Sequence, residues 1–433
     1  MKMRKMILLA FAALAAASCT RGLDEAAVIG GDEIRFVVGD FPAFGGSQTR
    51  AVGTEDPGKT SWAAGDELLL EMTSKTLGSK YATFTYNGSE WKLTDGELAY
   101  KEDEVPTFPH LYYAPDYEWV SGKLALKDGK VAGTDEFIEG TAQITSNGEA
   151  ITVSFSDATR KSRLRIATLP DVDIVVSVEY FTPAGPASEV STYILHSDAN
   201  GNAYLYGGFV KNSTVSVKYD NVVLADYRFS QATKNGTSYA LDATVISLEG
   251  MSGDSTKIME AIEAEVKRGN KDIRLRLPYD LDKEVADGIL GGLDGLDAGS
   301  INLTLMGCEK IAFQGFKNCK QLKSVTLPDV TEICESAFAA CSRLQKVVFG
   351  SPLTKVYGNP SETYGGIFEN CDTKGMIDLV LSGEQNMMAS EPVDGEFVQI
   401  AQDGLPYKGC SDHYYRKFIG YTFKSVTCGD KTH

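Results

Sequence analysis

A 22-residue period in the last third of the chain limits what this sequence can fold into. Leu322-x-x-Val325-x-Leu327 recurs as Leu344-x-x-Val347-x-Phe349, and Ile311, Phe316 and Cys319 recur as Ile333, Phe338 and Cys341, each 22 residues on. Ile301 to Leu305 stands 22 residues before Lys323 to Leu327. A later unit, with Phe368, Cys371, Ile377 and Leu379, stands 30 residues after its counterpart, and the extra eight fit a loop around Gly358-Asn359-Pro360-Ser361. A unit this short cannot bury its apolar face alone, so successive units must stack, each giving one strand of a parallel sheet and a turn. The predicted repeat core is Ile311, Phe316, Cys319, Leu322, Val325, Leu327, Ile333, Phe338, Cys341, Leu344, Val347, Phe349, Phe368 and Cys371.

A stack needs a cap at its open end. Asp254 or Ser255 can begin a helix with Ile258, Ile262 and Val266 on one face and Gly269 at its close, followed by a strand from Ile273 to Leu277. The pattern Ala337-Phe338-x-x-Cys341-x-x-Leu344 resembles the BspA-like leucine-rich repeats of bacterial surface proteins. That resemblance implies a leucine-rich-repeat domain over residues 250–433 that binds a partner, without naming it. Tyr421 to Val426 resembles a last repeat strand. Cys319, Cys341 and Cys371 share one repeat position and read as a ladder of small buried thiols, since equivalent Cβ vectors on parallel strands do not converge. Cys410 and Cys428 remain a candidate pair.

Upstream, from about residue 32 to 247, the period is two. Ile34, Phe36 and Val38 alternate with Glu33, Arg35 and Val37; Val176, Val178 and Tyr180 alternate with Ser177 and Glu179. In Arg163-Leu164-Arg165-Ile166 the basic and apolar residues fall on opposite faces. Turns such as Asn87-Gly88 and Asn235-Gly236 punctuate the strands. The fold class expected is mainly β: two tandem antiparallel β-sandwiches, 32–157 and 158–249, then a short solenoid with a capping helix. Thr49-Arg50-Ala51, Trp62, Gly65-Asp66-Glu67-Leu68, Leu111-Tyr112-Tyr113-Ala114-Pro115 and Lys161 to Ile166 are similar to blocks of the Bacteroides-type fimbrillins, the Mfa-like type V pilus family. The resemblance implies export as a lipoprotein, a place in or near fimbriae, and association with other fimbrial subunits by strand addition. It also implies proteolytic processing at the Arg50–Ala51 bond, although an ordinary loop arginine fits the same residues.

Lys2, Arg4 and Lys5 precede an apolar run, Ile7 to Ala17, too short to span a bilayer, then Ser18-Cys19. Ala16-Ala17-Ser18 before Cys19 matches the lipobox of bacterial lipoproteins. The match implies a signal peptide over 1–18, a diacylglyceryl group on the Cys19 sulfur, a linker over 19–31, and a lipid-anchored protein of the outer membrane facing the cell exterior.

With 42 Lys and Arg against 59 Asp and Glu the net charge is −17, which opposes nucleic-acid binding. Four scattered histidines and the absence of G-x-S-x-G, H-E-x-x-H and Walker-type motifs argue against an enzyme, and no metal or cofactor is expected. Asp198-x-Asn200-x-Asn202 imitates a calcium loop but has Ala203 and Phe209 where glycine and glutamate belong. The leading expectation is a surface lipoprotein adhesin, or a fimbrial tip or accessory subunit, engaging a host or bacterial surface protein or glycan through its repeats. The alternative is a glycan-binding surface lipoprotein that uses Tyr112, Tyr113, Tyr117 and Trp119 as stacking platforms. Cells fed an alkyne fatty acid should label the wild-type chain and leave Cys19→Ala unlabelled; label that survives the substitution would remove the lipid assignment.

Overall fold

The computed structural model describes residues 28–30, 35–44, 56–101, 104–145, 150–181, 189–356, 366–382, 417–418, 421–428 and 431–432. Cys19, Arg50, Ala51, Cys410 and the Cys428 side chain lie outside the described residues. The fold is mainly β.

The first module is built on a seven-stranded sheet, beside which Val28–Gly30 pairs with Ala99–Lys101 and Tyr117–Val120 pairs with Lys123–Leu126. The order of the main sheet is Arg35–Val38, Ala150–Arg160, Ile138–Ile144, Thr107–Tyr113, Glu67–Ser74, Gly78–Tyr86 and Trp91–Gly96. The first pair is parallel and the rest are antiparallel, so the expected all-antiparallel arrangement gains a parallel edge. Register shifts at Glu71/Thr73, Thr83/Phe84 and Ile138/Gly140 sharpen the bend of the sheet. It curls until Phe36 of the first strand stacks on Phe84 of the sixth, with centroids 3.9 Å apart. Leu68, Leu70, Met72, Leu111, Tyr113, Ile138 and Val153 fill the interior, together with Tyr100 of the Ala99–Lys101 strand. The second module has two sheets face to face, three strands against four, with Leu164, Ile166, Val176, Val178, Val215 and Val217 between them.

Only Lys161 separates the Ala150–Arg160 strand of the first module from the Ser162–Ala167 strand of the second. Arg163 and Arg165, on the face opposite Leu164 and Ile166, are 2% and 8% exposed because that face meets the first module. Arg160 Nε donates to Glu136 Oε2 at 2.9 Å, and its Nη1 donates to the Pro42 carbonyl at 2.7 Å. Arg163 Nε donates to Ser238 Oγ at 3.0 Å, while Nη1 lies 3.4 Å from Asp56 Oδ2. The Phe44 ring sits between the two guanidinium groups, 3.4 Å from one and 4.7 Å from the other. Burial works against the Asp56 carboxylate, but Tyr204, the Gly58 N–H and Arg163 together hold its pKa below the usual range.

The third module is built on a sheet ordered Ile246–Ser247, Asp272–Arg276, Ile301–Met306, Leu322–Leu327, Lys346–Phe349, Asp378–Leu381, Ser425–Cys428 and Lys431–Thr432. All neighbours are parallel except the last pair. Its first strand is the tail of the second sandwich, and Met306 reaches back into that sandwich's core. The expected helix α1, Ser255–Lys267, is capped by Asp254, whose Oδ1 accepts the Lys257 N–H at 3.1 Å. A second helix, α2, Lys283–Leu293, completes the cap; three glycines diluted its sequence signal. Two of those glycines set the helix contact: a Cβ on Gly288 would lie 2.9 Å from Ile258 Cβ, and one on Gly292 would lie 2.7 Å from Ile262 Cβ.

Gly292→Ala should raise helix propensity by about 1 kcal/mol and lose about 1–3 kcal/mol to overpacking. The expected outcome is a lower melting temperature; an increase would mean that α1 and α2 pack more loosely than described.

Candidate functional site

The repeats hold together through three ladders. In the first, backbone groups of one turn bond the next: Phe316 N–H donates to the Ala337 carbonyl at 2.8 Å, Asn318 to Ala339 at 2.8 Å, and Phe338 to Ile367 at 2.9 Å. In the second, Phe316, Phe338 and Phe368 stack with centroids 5.5 and 5.7 Å apart, and Phe423 closes the row edge-on at 5.6 Å. The third is the thiol row. Cys341 Sγ donates to the Phe316 carbonyl at 3.0 Å, and Cys371 Sγ donates to the Phe338 carbonyl at 3.1 Å.

Cys341 and Cys371 thus each bond a carbonyl of the preceding repeat, while Cys319 Sγ donates to Gln321 Oε1 at 3.7 Å. Burial pushes the pKa of Cys319 and Cys371 up to about 11 and that of Cys341 higher still, which suppresses the reactive thiolate. Among the described cysteines, Cys308, Cys319, Cys334, Cys341 and Cys371 are free thiols.

Of the predicted repeat-core residues, Ile311, Phe316, Cys319, Leu322, Val325, Leu327, Ile333, Phe338, Cys341, Leu344, Val347, Phe349 and Phe368 are buried; Cys371 is half-buried. One register differs from expectation. Val347 pairs with Leu379 and Phe349 with Leu381, so Ile377 and Leu379 are not the partners that a uniform 30-residue offset implies. The short helix α3, Thr373–Met376, takes up two further residues between Cys371 and the strand.

The alternate residues of these strands form an open face. One row across it is Asn302, Ser324, Lys346, Asp378 and Ser425; the next is Thr304, Thr326, Val348, Val380 and Thr427. Ser324 Oγ donates to Asn302 Oδ1 at 2.7 Å, and Ser425 Oγ donates to Asp378 Oδ1 at 2.7 Å, so the first row is partly pre-ordered. The second row is β-branched throughout, which suits rigid, flat contact. Sequence reading passed over these residues because they occupy the variable positions between the repeat leucines. Their one legible signal was the strand alternation itself.

The other candidates separate. Tyr113 is in the core of the first module, in edge contact with Phe41 and Trp62, while Tyr112 lies on the opposite face of its strand. Trp119 packs on Tyr81 at 4.9 Å and pins its hairpin to the sheet; Tyr112 and Tyr117 both pack on Phe137. These rings are engaged with one another rather than ranked as free faces. Asp198 Oδ1 accepts the N–H groups of Asn200 and Asn202 at 2.9 Å each, which makes this segment a hairpin turn. Among the described residues no group of three or more His, Cys, Asp or Glu could hold a metal ion.

Ala340 has φ +57°, a left-handed conformation that its neighbours in the stack give to Asn318 and Asn370. Ala340→Gly should remove this strain and stabilise the solenoid by about 1 kcal/mol in chemical denaturation. A destabilised variant would show that the turn is not strained at this residue.

No curated protein sequence is significantly similar to this chain. The crystal structure of a fimbrial protein from Bacteroides ovatus ATCC 8483 aligns at 13% identity with a TM-score of 0.28, covering 49% of this chain and 48% of that one. The chain thus spans about half the length of that fimbrial protein, and an overlap this low carries no structural argument. Residues 298–374 match the family described as BspA type leucine rich repeat region, in six copies. Within the third module, the stacked turns and strands of residues 298–374 are therefore a BspA-type leucine-rich-repeat region.

Proposed function

We propose that this chain is a lipid-anchored adhesin of the cell surface whose leucine-rich repeats bind a protein partner through the open face of their parallel sheet. The observation that carries the proposal is the pair of rows on that face, which no other described element covers with core packing. Five strands at about 4.8 Å spacing give a platform about 20 Å across, enough for one side of a modest interface. The two β-modules set this platform apart from the N-terminus, where the Cys19 lipid would hold the chain to the outer membrane. A fimbrial tip or accessory role fits the same layout. The Glu189–His196 strand lies at the edge of its sheet with Val190 and Ile194 60% and 71% exposed, a position open to strand addition by another subunit.

Thr326→Arg with Val348→Arg places two bulky charges in the middle of the face. The double variant should fold and reach the surface normally while cell adhesion falls at least about tenfold, a loss of roughly 1.4 kcal/mol. Adhesion equal to wild type would remove the open face as the binding surface.

A further inference from the structure

Charge is unevenly distributed over the solenoid. Its strands are parallel, so all their N-terminal ends lie along one edge of the sheet. Lys320 stands just before the Leu322–Leu327 strand and Lys323 is its second residue; Arg343 stands before the Lys346–Phe349 strand, which Lys346 begins. All four are exposed, and Lys346 has Asp378 opposite it on the next strand, where, after the Ser425 hydrogen bond, it helps hold that carboxyl below its usual pKa. The backbone brings them together. The Lys323 carbonyl accepts the Gln345 N–H at 2.8 Å, beside Lys346. The Lys320 carbonyl accepts the Gly299 N–H at 2.8 Å, and a Cβ on that glycine would lie 3.1 Å from Arg343 Cβ.

Neither 315–328 nor 339–350 contains an acidic residue, whereas the intervening 329–338 holds Asp329, Glu332 and Glu335. Around these two strands the bases collect where the chain enters and the acids where it leaves. We infer that this cationic edge binds a linear acidic polysaccharide, an inference that rests on reading the solenoid as the binding module.

The character of the edge selects this partner. The four cations lie on two adjacent strands about 4.8 Å apart and offset by one residue, a short ribbon of positive charge that suits a chain bearing closely placed sulfates or carboxylates. A folded protein partner would need aromatic or apolar anchors. The aromatic side chains of these two segments, Phe316 and Phe349, are fully buried. A nucleic acid would need exposed rings for its bases, and its denser charge would meet a body of −17.

The test is binding of the full-length chain to immobilised heparin, polygalacturonate, dextran, poly-glutamate and single-stranded DNA. Heparin or polygalacturonate should bind, dextran should not, and the affinity should fall at least about tenfold between about 50 and 300 mM salt. Lys323→Glu with Lys346→Glu should abolish at least about nine-tenths of that affinity, with Lys323→Gln and Lys346→Gln as the milder pair if the first fails to fold. Lys283→Glu on α2 should change nothing. Absence of acidic-polysaccharide binding, indifference to the charge changes, or tighter binding of DNA or poly-glutamate would overturn the inference. Wild-type chain that binds no acidic polysaccharide while its cell adhesion is lost with Thr326→Arg and Val348→Arg would sink this inference alone and leave the open-face reading standing.

Discussion

The stacking of one repeat upon the next is the interaction on which the C-terminal third depends. Phe316, Phe338 and Phe368 can be fully buried only because each ring has another above or below it. The same logic applies to the Ala337 and Ala339 carbonyls, which accept the N–H groups of Phe316 and Asn318 in the preceding repeat. A repeat removed from the stack would expose apolar rings and orphan polar groups together, so stability resides in the interfaces rather than in any unit. The ends of the stack are consequently the vulnerable places. At one end α1 and α2 cover the first repeat, and at the other Phe423 turns edge-on and closes the ring ladder.

The beginning of the stack has a second support. Its first strand, Ile246–Ser247, is also the exit from the second sandwich, and Met306 packs into that sandwich's core. Solenoid and sandwich thus share hydrogen bonds and apolar contacts instead of being joined by a free linker. The two β-modules are tied in a different way, through buried arginines that face each other across Phe44. A buried guanidinium is tolerable only when its donors are met, and Glu136, Pro42, Ser238 and Asp56 meet them. The joint is therefore specific in geometry, which favours a fixed angle between the modules.

Charge separates on a finer scale than the net value conveys. A total of −17 describes a soluble, self-repelling body, and it describes poorly the edge at which Lys320, Lys323, Arg343 and Lys346 gather. A period of 22 residues carries any bias between its two halves to the same edge in every turn. Bases before the Leu322–Leu327 and Lys346–Phe349 strands are thereby brought side by side.

By itself the sequence determined the repeat, its buried positions, the capping helix that begins after Asp254, and the mainly β character of the first 247 residues. These are local or periodic properties, carried by side-chain alternation and fixed spacing. Tertiary structure alone decided that the main sheet of the first module curls, because its curvature depends on bulges and on Phe36 meeting Phe84 across distant strands. It also decided that Arg163 and Arg165 are buried, since an amphipathic pattern reports two faces but not what covers each. Helix α2 escaped notice because its glycines serve contact with α1, which a local propensity cannot register. The open face was readable only once the register between strands was set, for its members lie 22 to 47 residues apart in the chain and become neighbours through hydrogen bonding alone.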